Sequence, residues 1–455
     1  MKKVILTLFV MTFAQVVSAV DATKRPNIVL IMADDMGFSD IGCYGSEIKT
    51  PTLDRLATNG IRFTQFYNTS RCCPTRASLL TGMYPHQAGI GLMTGDNKLP
   101  GYRGELGRDV VTIAEALSVA GYRRYMSGKW HVTKHTRPQG PKNNWPLQRG
   151  FEKFYGTIIG AGKFYDPATL CRANSFITPV NDEKYQPKIY YYTDAISDNA
   201  VMFLQEHAKE SPDKPVFLYV AYTTAHWPMH ALPKDIAKYK GMYDGGFAKV
   251  RAARFERLKK LGLIDKNLKI SARSDEWEKA PNKEWDIRNM EVYAAMIDNM
   301  DQGIGRIVAE LERQGTLDNT LIFYLQDNGG CAEIPGGEKP ERIPGPKEHY
   351  VTCGPGWAWA QNTPFRWFKA RVHEGGIATP CVMRWPKRIK KNSWTDAVGH
   401  IIDLLPTFLD MAGTDPAKAT PKGKLPLDGL SLLPVLVGGE RPGHEALYWN
   451  WAAHR

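Results

Sequence analysis

Six short stretches of this chain carry residue types that could do chemistry together. Cys72-x-Pro74-x-Arg76 joins a thiol, a proline and a guanidinium. Pro74 suits the first turn of a helix, where no amide donor is needed, and the polar residues 69–71 read as the loop entering it. A thiol at that mouth sits beside free amides and Arg76, a setting that favours an anion and lowers the thiol's pKa. Read alone, the same residues also fit a buried or disulfide-bonded cysteine on an ordinary helix start.

Asp34-Asp35 follow the apolar, β-branched run 27–32. Two adjacent carboxylates at the end of a central strand call for positive charge, and a hard divalent cation with oxygen ligands answers it. A solvated acidic turn is the plain alternative for the pair alone. Asp327-Asn328 follow another apolar run, 321–326, and supply the remaining oxygen ligands of one site. Lys129 and His131 stand in Gly-Lys-Trp-His after a strand expected at 122–126, and His226 follows the run 216–221. Lys369 precedes Glu374-Gly375-Gly376 by five residues. Four strand ends each deliver polar groups at the sheet edge where open α/β folds bind ligands.

The elements that must hold these ends are legible from periodicity. Residues 27–32, 216–221 and 321–326 are continuous apolar runs, the pattern of strands buried on both faces. Residues 109–121 read as a helix, with Thr112 and Glu115 as a capping box and Gly121 as its stop. A helix is expected over 194–207. A longer one carries apolar residues at 293, 296, 297, 300, 304, 307, 308 and 311 and ends at Gly315. The last helix, 403–413, takes Asp403 as its cap and Pro406 in its first turn. Residues 140–190, rich in Pro, Gly, Asn and aromatics, read as a surface excursion, and 334–362 as a loop. The charged stretch 231–284 reads as a solvated helix rather than a lid gripping a polyanion. His86 and His373 are assigned structural roles.

The chain has 455 residues, 43% of them hydrophobic, and a net charge of +12. That suffices for a large α/β domain with an appendage. Without basic runs interleaved with aromatics, the charge does not point to nucleic acid, and it is compatible with an anionic substrate. Residues 1–19 have the basic start, short apolar core and small residues of a secretory signal peptide, a retained anchor being the alternative. The expected location is therefore periplasmic or secreted, with no stable membrane span. Seven cysteines in an exported chain call for one special thiol, and their scatter matches no zinc-ligand spacing. Their pairing and the oligomeric state are not legible.

Taken in order, these motifs resemble the type I sulfatases over nearly all of residues 25–450. Residues 38–42 (Phe-Ser-Asp-Ile-Gly) point to the bacterial arylsulfatase branch. The resemblance implies an alkaline-phosphatase-like α/β fold, a large mixed β-sheet flanked by helices. It divides the chain into a catalytic domain, 20–395, and the start of a smaller C-terminal subdomain, 396–455, truncated here or unusually small. The tail 448–455 would begin a strand pair. By the same resemblance a sulfatase-maturing enzyme converts Cys72 to formylglycine. Asp34, Asp35, Asp327 and Asn328, with residue 72, hold Ca2+ (Mg2+ being the other choice). Lys129 and Lys369 bind sulfate, and Arg76 holds the hydrated aldehyde and binds Asp34 or Asp35. His226 protonates the leaving alcohol, and His131 takes a proton from residue 72. Ala225 departs from the proline that usually precedes this histidine in the family. The implied substrates are sulfated carbohydrates or aryl sulfates. The rival readings are a phosphonate or phosphodiester hydrolase on the same scaffold and a sulfated-glycan binding protein whose Cys72 is never converted.

Overall fold

The computed structural model describes residues 25–271, 277–420 and 423–452, so the signal-peptide segment lies outside the described residues. Twelve strands are described: β1 (Asn27–Ala33), β2 (Ile61–Phe63), β3 (Phe66–Tyr67), β4 (Arg123–Gly128), β5 (Lys153–Thr157) and β6 (Leu170–Arg172), then β7 (Ser175–Phe176), β8 (Val216–Ala221), β9 (Thr320–Gln326), β10 (Cys381–Arg384), β11 (Ser393–Thr395) and β12 (Gly399–His400). Ten of them form one sheet in the order β11-β2-β10-β9-β1-β8-β4-β5-β6-β7, and β12 pairs with β3 in a small second sheet.

The middle of the large sheet is parallel: β1 runs between β9 and β8, and β4 continues from β8 to β5. The apolar runs read from the sequence are these central strands. β1 shows why they are apolar throughout. Val29 and Ile31 enter one core layer, with the helices Pro51–Thr58, Tyr192–Glu210 and Lys283–Arg313. Ile28, Leu30 and Met32 enter the opposite layer, with the helices Cys72–Thr81, Ile113–Val119 and Leu404–Met411. Alternate side chains of a strand point to opposite faces, so a sheet covered on both sides needs apolar residues at every position. Antiparallel pairs at both flanks make the sheet mixed.

The capping box forms as read: Glu115 N donates to Thr112 Oγ1 and Thr112 N to Glu115 Oε2. The helix therefore starts at Ile113, after its cap, rather than at 109. All eight apolar positions of the long helix are buried.

Four expectations need correction. Residues 140–190 are not only an excursion, since β5 joins the sheet and the β6–β7 hairpin extends its edge. The loop expected at 334–362 contains the helix Gly354–Gln361. The charged stretch forms the helix Gly246–Lys260, but Arg251 and Arg254 are buried rather than solvated. Asp403 occupies the cap position of the helix Leu404–Met411, as read, but its side chain makes no cap bond to that helix. It accepts instead from His400 N, Leu430 N and Arg441 Nη2, with His444 Nε2 2.8 Å away, and so ties the C-terminal segment to the core.

Candidate active site

Strand register brings the chemistry together. Ala33 pairs with Gln326, Met32 with Ala221, and Ala221 with Gly128, so four parallel strands end level. The next residues are Asp34-Asp35, Asp327-Asn328, Lys129 and the turn to His226. Main-chain bonds carry the ladder past the strand ends: Asp327 N donates to Ala33 O, Lys129 N to Ala221 O and Asp34 N to Thr224 O. At Gly128, with φ of +119°, a Cβ would lie 1.9 Å from Ala221 O. Only glycine lets the two backbones approach this closely before Lys129.

The helix Cys72–Thr81 begins at Cys72 itself, and Pro74 stands in its first turn. Arg76 is wholly buried, with Nη2 2.8 Å from Asp327 Oδ2 and 3.7 Å from Asp34 Oδ2. Its nearer partner is thus Asp327, a choice the sequence did not offer. Lys129 Nζ donates to Asp34 Oδ2 at 2.5 Å. Lys369 Nζ lies 2.7 Å from Asp35 Oδ1 and 2.8 Å from Oδ2. His226 keeps its place despite the missing proline: Nε2 is 3.5 Å from Asp35 Oδ2, and Nδ1 is 2.7 Å from Trp227 O. His131, with φ of +55°, stands with Cys72 and Cys73, one ligand atom of each within 4.8 Å of the others. All the residues singled out for catalysis or metal binding therefore meet at one sheet edge. His86 lies against Tyr102 and His373 against Arg366 and Trp367, and neither forms part of this group.

The charges are crowded and dry. Burial, then the neighbouring Asp34, pushes the Asp327 carboxyl up to about 8. Burial also raises Asp34, against the pull of Lys129 and Arg76. Burial acts the same way on Asp35, but His226 and Lys369 outweigh it and hold this carboxyl below the usual range. Burial draws both His131 and His226 down to about 4. A hydrogen bond from Cys73 leads in lowering the Cys72 thiol, against burial and with help from Lys129 and His131.

The oxygen set fits a hard cation. Asp34 Oδ1 and Asn328 Oδ1 are buried without a hydrogen-bond partner. Asn328 meanwhile donates through Nδ2 to Asp35 Oδ1, which leaves its own oxygen clear. Carboxylates packed this closely with unused oxygens are what a divalent ion neutralises. Zinc is a poorer match for a set made of oxygens. All seven cysteines are free and buried.

Two residues at this centre escaped the sequence reading. Arg71, next to Cys72, pairs with Glu333, whose Oε2 is 3.7 Å from Lys369 Nζ. Arg71 had a signal, an extra charge directly before the thiol. Glu333 had none, because nothing local marks a loop carboxylate that folding brings to the site.

The sulfatase family profile matches residues 26–414. An arylsulfatase of Klebsiella aerogenes is 33% identical over 435 residues, covering 90% of this chain and 91% of that protein. An uncharacterised sulfatase of Schizosaccharomyces pombe is 34% identical over 432 residues, covering 86% of this chain and 75% of that one. Among solved structures, Ps i-CgsB in complex with k-i-k-neocarrahexaose is similar with a TM-score of 0.64 and 26% identity, over 91% of this chain and 76% of that one. The sheet topology, the meeting of these strand ends and the extent of the matches lead to one conclusion: the chain belongs to the sulfatase family, an alkaline-phosphatase-like α/β enzyme that hydrolyses sulfate esters.

Proposed function

We propose that this sulfatase works through formylglycine made from Cys72 by a maturation enzyme, with one divalent cation, Ca2+ before Mg2+, held by Asp34, Asp35, Asp327, Asn328 and residue 72. The observation that carries the reading is the level ending of four parallel strands, which sets Asp34, Asp35, Asp327 and Lys129 side by side, with Arg76 from the helix Cys72–Thr81 and Lys369 from the loop before Glu374 closing on them. Three acids against Arg76, Lys129 and Lys369 leave the pocket formally neutral, so a bound divalent cation makes it attractive to an anionic sulfate ester. When present, the aldehyde hydrate supplies the attacking hydroxyl and the cation supplies charge that orients it and the sulfate.

The chain's own residues do the rest. Lys129 and Lys369 hold sulfate oxygens, where their charge counts for more because water is excluded. Arg76 fixes Asp327 and Asp34 in place. His226 protonates the leaving alcohol from its imidazolium form: Nδ1–H donates to Trp227 O, which turns Nε2, the nitrogen that carries the transferred proton, toward the centre, where Asp35 Oδ2 3.5 Å away favours the charged ring. His131 takes a proton from residue 72, against which its ring is packed.

Substrates are proposed to be sulfated carbohydrates or aryl sulfates. The first follows the carrahexaose complex of a similar protein and the second the arylsulfatase relative. The N-terminal residues 1–19 support export, to the periplasm or beyond. The test is a comparison of p-nitrophenyl sulfate with bis-p-nitrophenyl phosphate on purified, matured protein. Preference for the sulfate supports the reading. Preference for the phosphodiester transfers the site to phosphoryl chemistry, and turnover of neither favours a binding protein.

A further inference from the structure

The floor of the site is closed, and its rim is not. The side chains of Asp34, Asp35, Arg76, Lys129, Asp327 and Lys369 are at most 1% exposed, whereas those of Arg71 and Glu333 are 14% and 36% exposed. Arg71 and Glu333 join the floor, through Lys369, to solvent, so they stand where an alcohol carried outward by a floor-bound sulfate meets the protein.

The rim is also built. Arg71 Nη1 donates to Glu333 Oε1, and Arg71 Nε to Met93 Sδ at 3.5 Å. The Arg71 guanidinium carbon lies 5.3 Å from the centroid of the Trp451 ring, within reach of a cation–π contact. The segment bearing that ring is pinned to the loop before Cys72, since Trp449 Nε1 donates to Asn68 O at 2.8 Å. Glu333 is steadied from behind by Lys369, whose Nζ is 3.7 Å from Oε2.

The pair is neutral as a unit, so it neither demands nor repels a second charge on the substrate. It offers guanidinium donors beside carboxylate acceptors, the complement of neighbouring hydroxyls on a pyranose. An apolar alcohol would strip water from the exposed part of this pair and replace none of its hydrogen bonds, which costs free energy that a hydroxylated ring does not incur. We infer that Arg71, Glu333 and Trp451 form the subsite for the hydroxylated ring that carries the sulfate, and that they select a sulfated sugar over a flat apolar ester. The inference rests on the sulfatase chemistry proposed above and adds the residues that choose the alcohol.

The test uses Glu333→Gln, Trp451→Ala and Arg71→Lys in the full matured chain. Two readouts are taken: the ratio of kcat/KM for galactose 6-sulfate, glucose 6-sulfate and N-acetylglucosamine 6-sulfate to that for p-nitrophenyl sulfate, and calorimetric binding of the same sugars to each protein with Cys72 left unconverted, which does not consume them. Each variant is expected to lower the sugar-to-aryl ratio about tenfold for the best sugar, through KM, and to weaken its binding alike. Equal losses on sugar and aryl esters, no loss on either, or a wild type that binds none of the three sugars would overturn the subsite. A wild type without aldehyde at position 72 would instead sink the mechanism, and calorimetry would still decide the subsite.

Discussion

Arg254 Nη1 lies 2.6 Å from Asp40 Oδ1, with both side chains wholly buried. The other Asp40 oxygen accepts from Gly37 N at 2.6 Å and from Tyr293 OH at 2.7 Å, and Tyr293 OH is 3.2 Å from Asp35 O. Asp35 has a positive φ of 57°. A non-glycine residue holds that conformation only where its surroundings dictate it. A helix some two hundred residues downstream thus fastens the turn that presents the acid pair.

Removing one partner of that ion pair leaves a charge stranded in the core. Arg254→Met should lower unfolding free energy by about 3–5 kcal/mol. Arg254→Met with Asp40→Asn should cost clearly less than the two single changes added. Urea unfolding of the four proteins measures both quantities.

Asp301 caps a helix from outside. Its carboxylate accepts from Thr52 N at 2.9 Å and Leu53 N at 2.8 Å, while Thr50, the residue in the cap position of Pro51–Thr58, makes no side-chain cap bond. Burial pushes the Asp301 carboxyl up from 3.8 to about 6. A folded-state pKa above the unfolded value means the folded chain binds that proton more tightly. The stabilisation is whole below about pH 4 and is lost as pH climbs through about 6. Thermal melts across that window should show wild type losing ground to Asp301→Asn as pH rises, with a constant difference above it.

The oxygen cluster predicts a ligand effect. Ca2+ at a hundredfold excess over its dissociation constant should stabilise the folded enzyme by about 2.7 kcal/mol. Asp327→Asn should lose most of that shift and about a hundredfold or more of activity. Melting with and without chelator checks the first, and p-nitrophenyl sulfate turnover the second.

Gly128 is where Lys129 is aimed. Gly128→Ala would force a Cβ into Ala221 O and strain a φ of +119°. Destabilisation of about 2–4 kcal/mol is expected, with kcat falling as Lys129 leaves Asp34. A variant that melts and turns over like wild type would show that the two strands can part without consequence.

The sequence showed the central strands and their chemistry because burial on both faces leaves unbroken apolar runs at 27–32, 216–221 and 321–326. The Thr112–Glu115 cap was legible because its partners are three residues apart. Other features depend on distant partners and leave no local trace. A buried arginine such as Arg254 looks like a solvated one until Asp40 and Glu47 fold against it. Asp403 sits where a cap would sit, and its use by Arg441 and His444 emerges only in three dimensions. The β6–β7 hairpin is two and three residues of main-chain pairing, too short for a period to show. The sequence points Arg76 at Asp34 or Asp35, whereas it lies nearer Asp327, a residue 251 positions away that the strand register sets beside Asp34.

The most direct measurement is the mass of the tryptic peptide 72–76 from purified, active protein. An aldehyde at position 72, in a fraction that tracks specific activity, is the predicted result. Full activity in a preparation whose peptide carries only an unmodified thiol would contradict the account, because no residue gathered at these strand ends could then play the part given to the aldehyde.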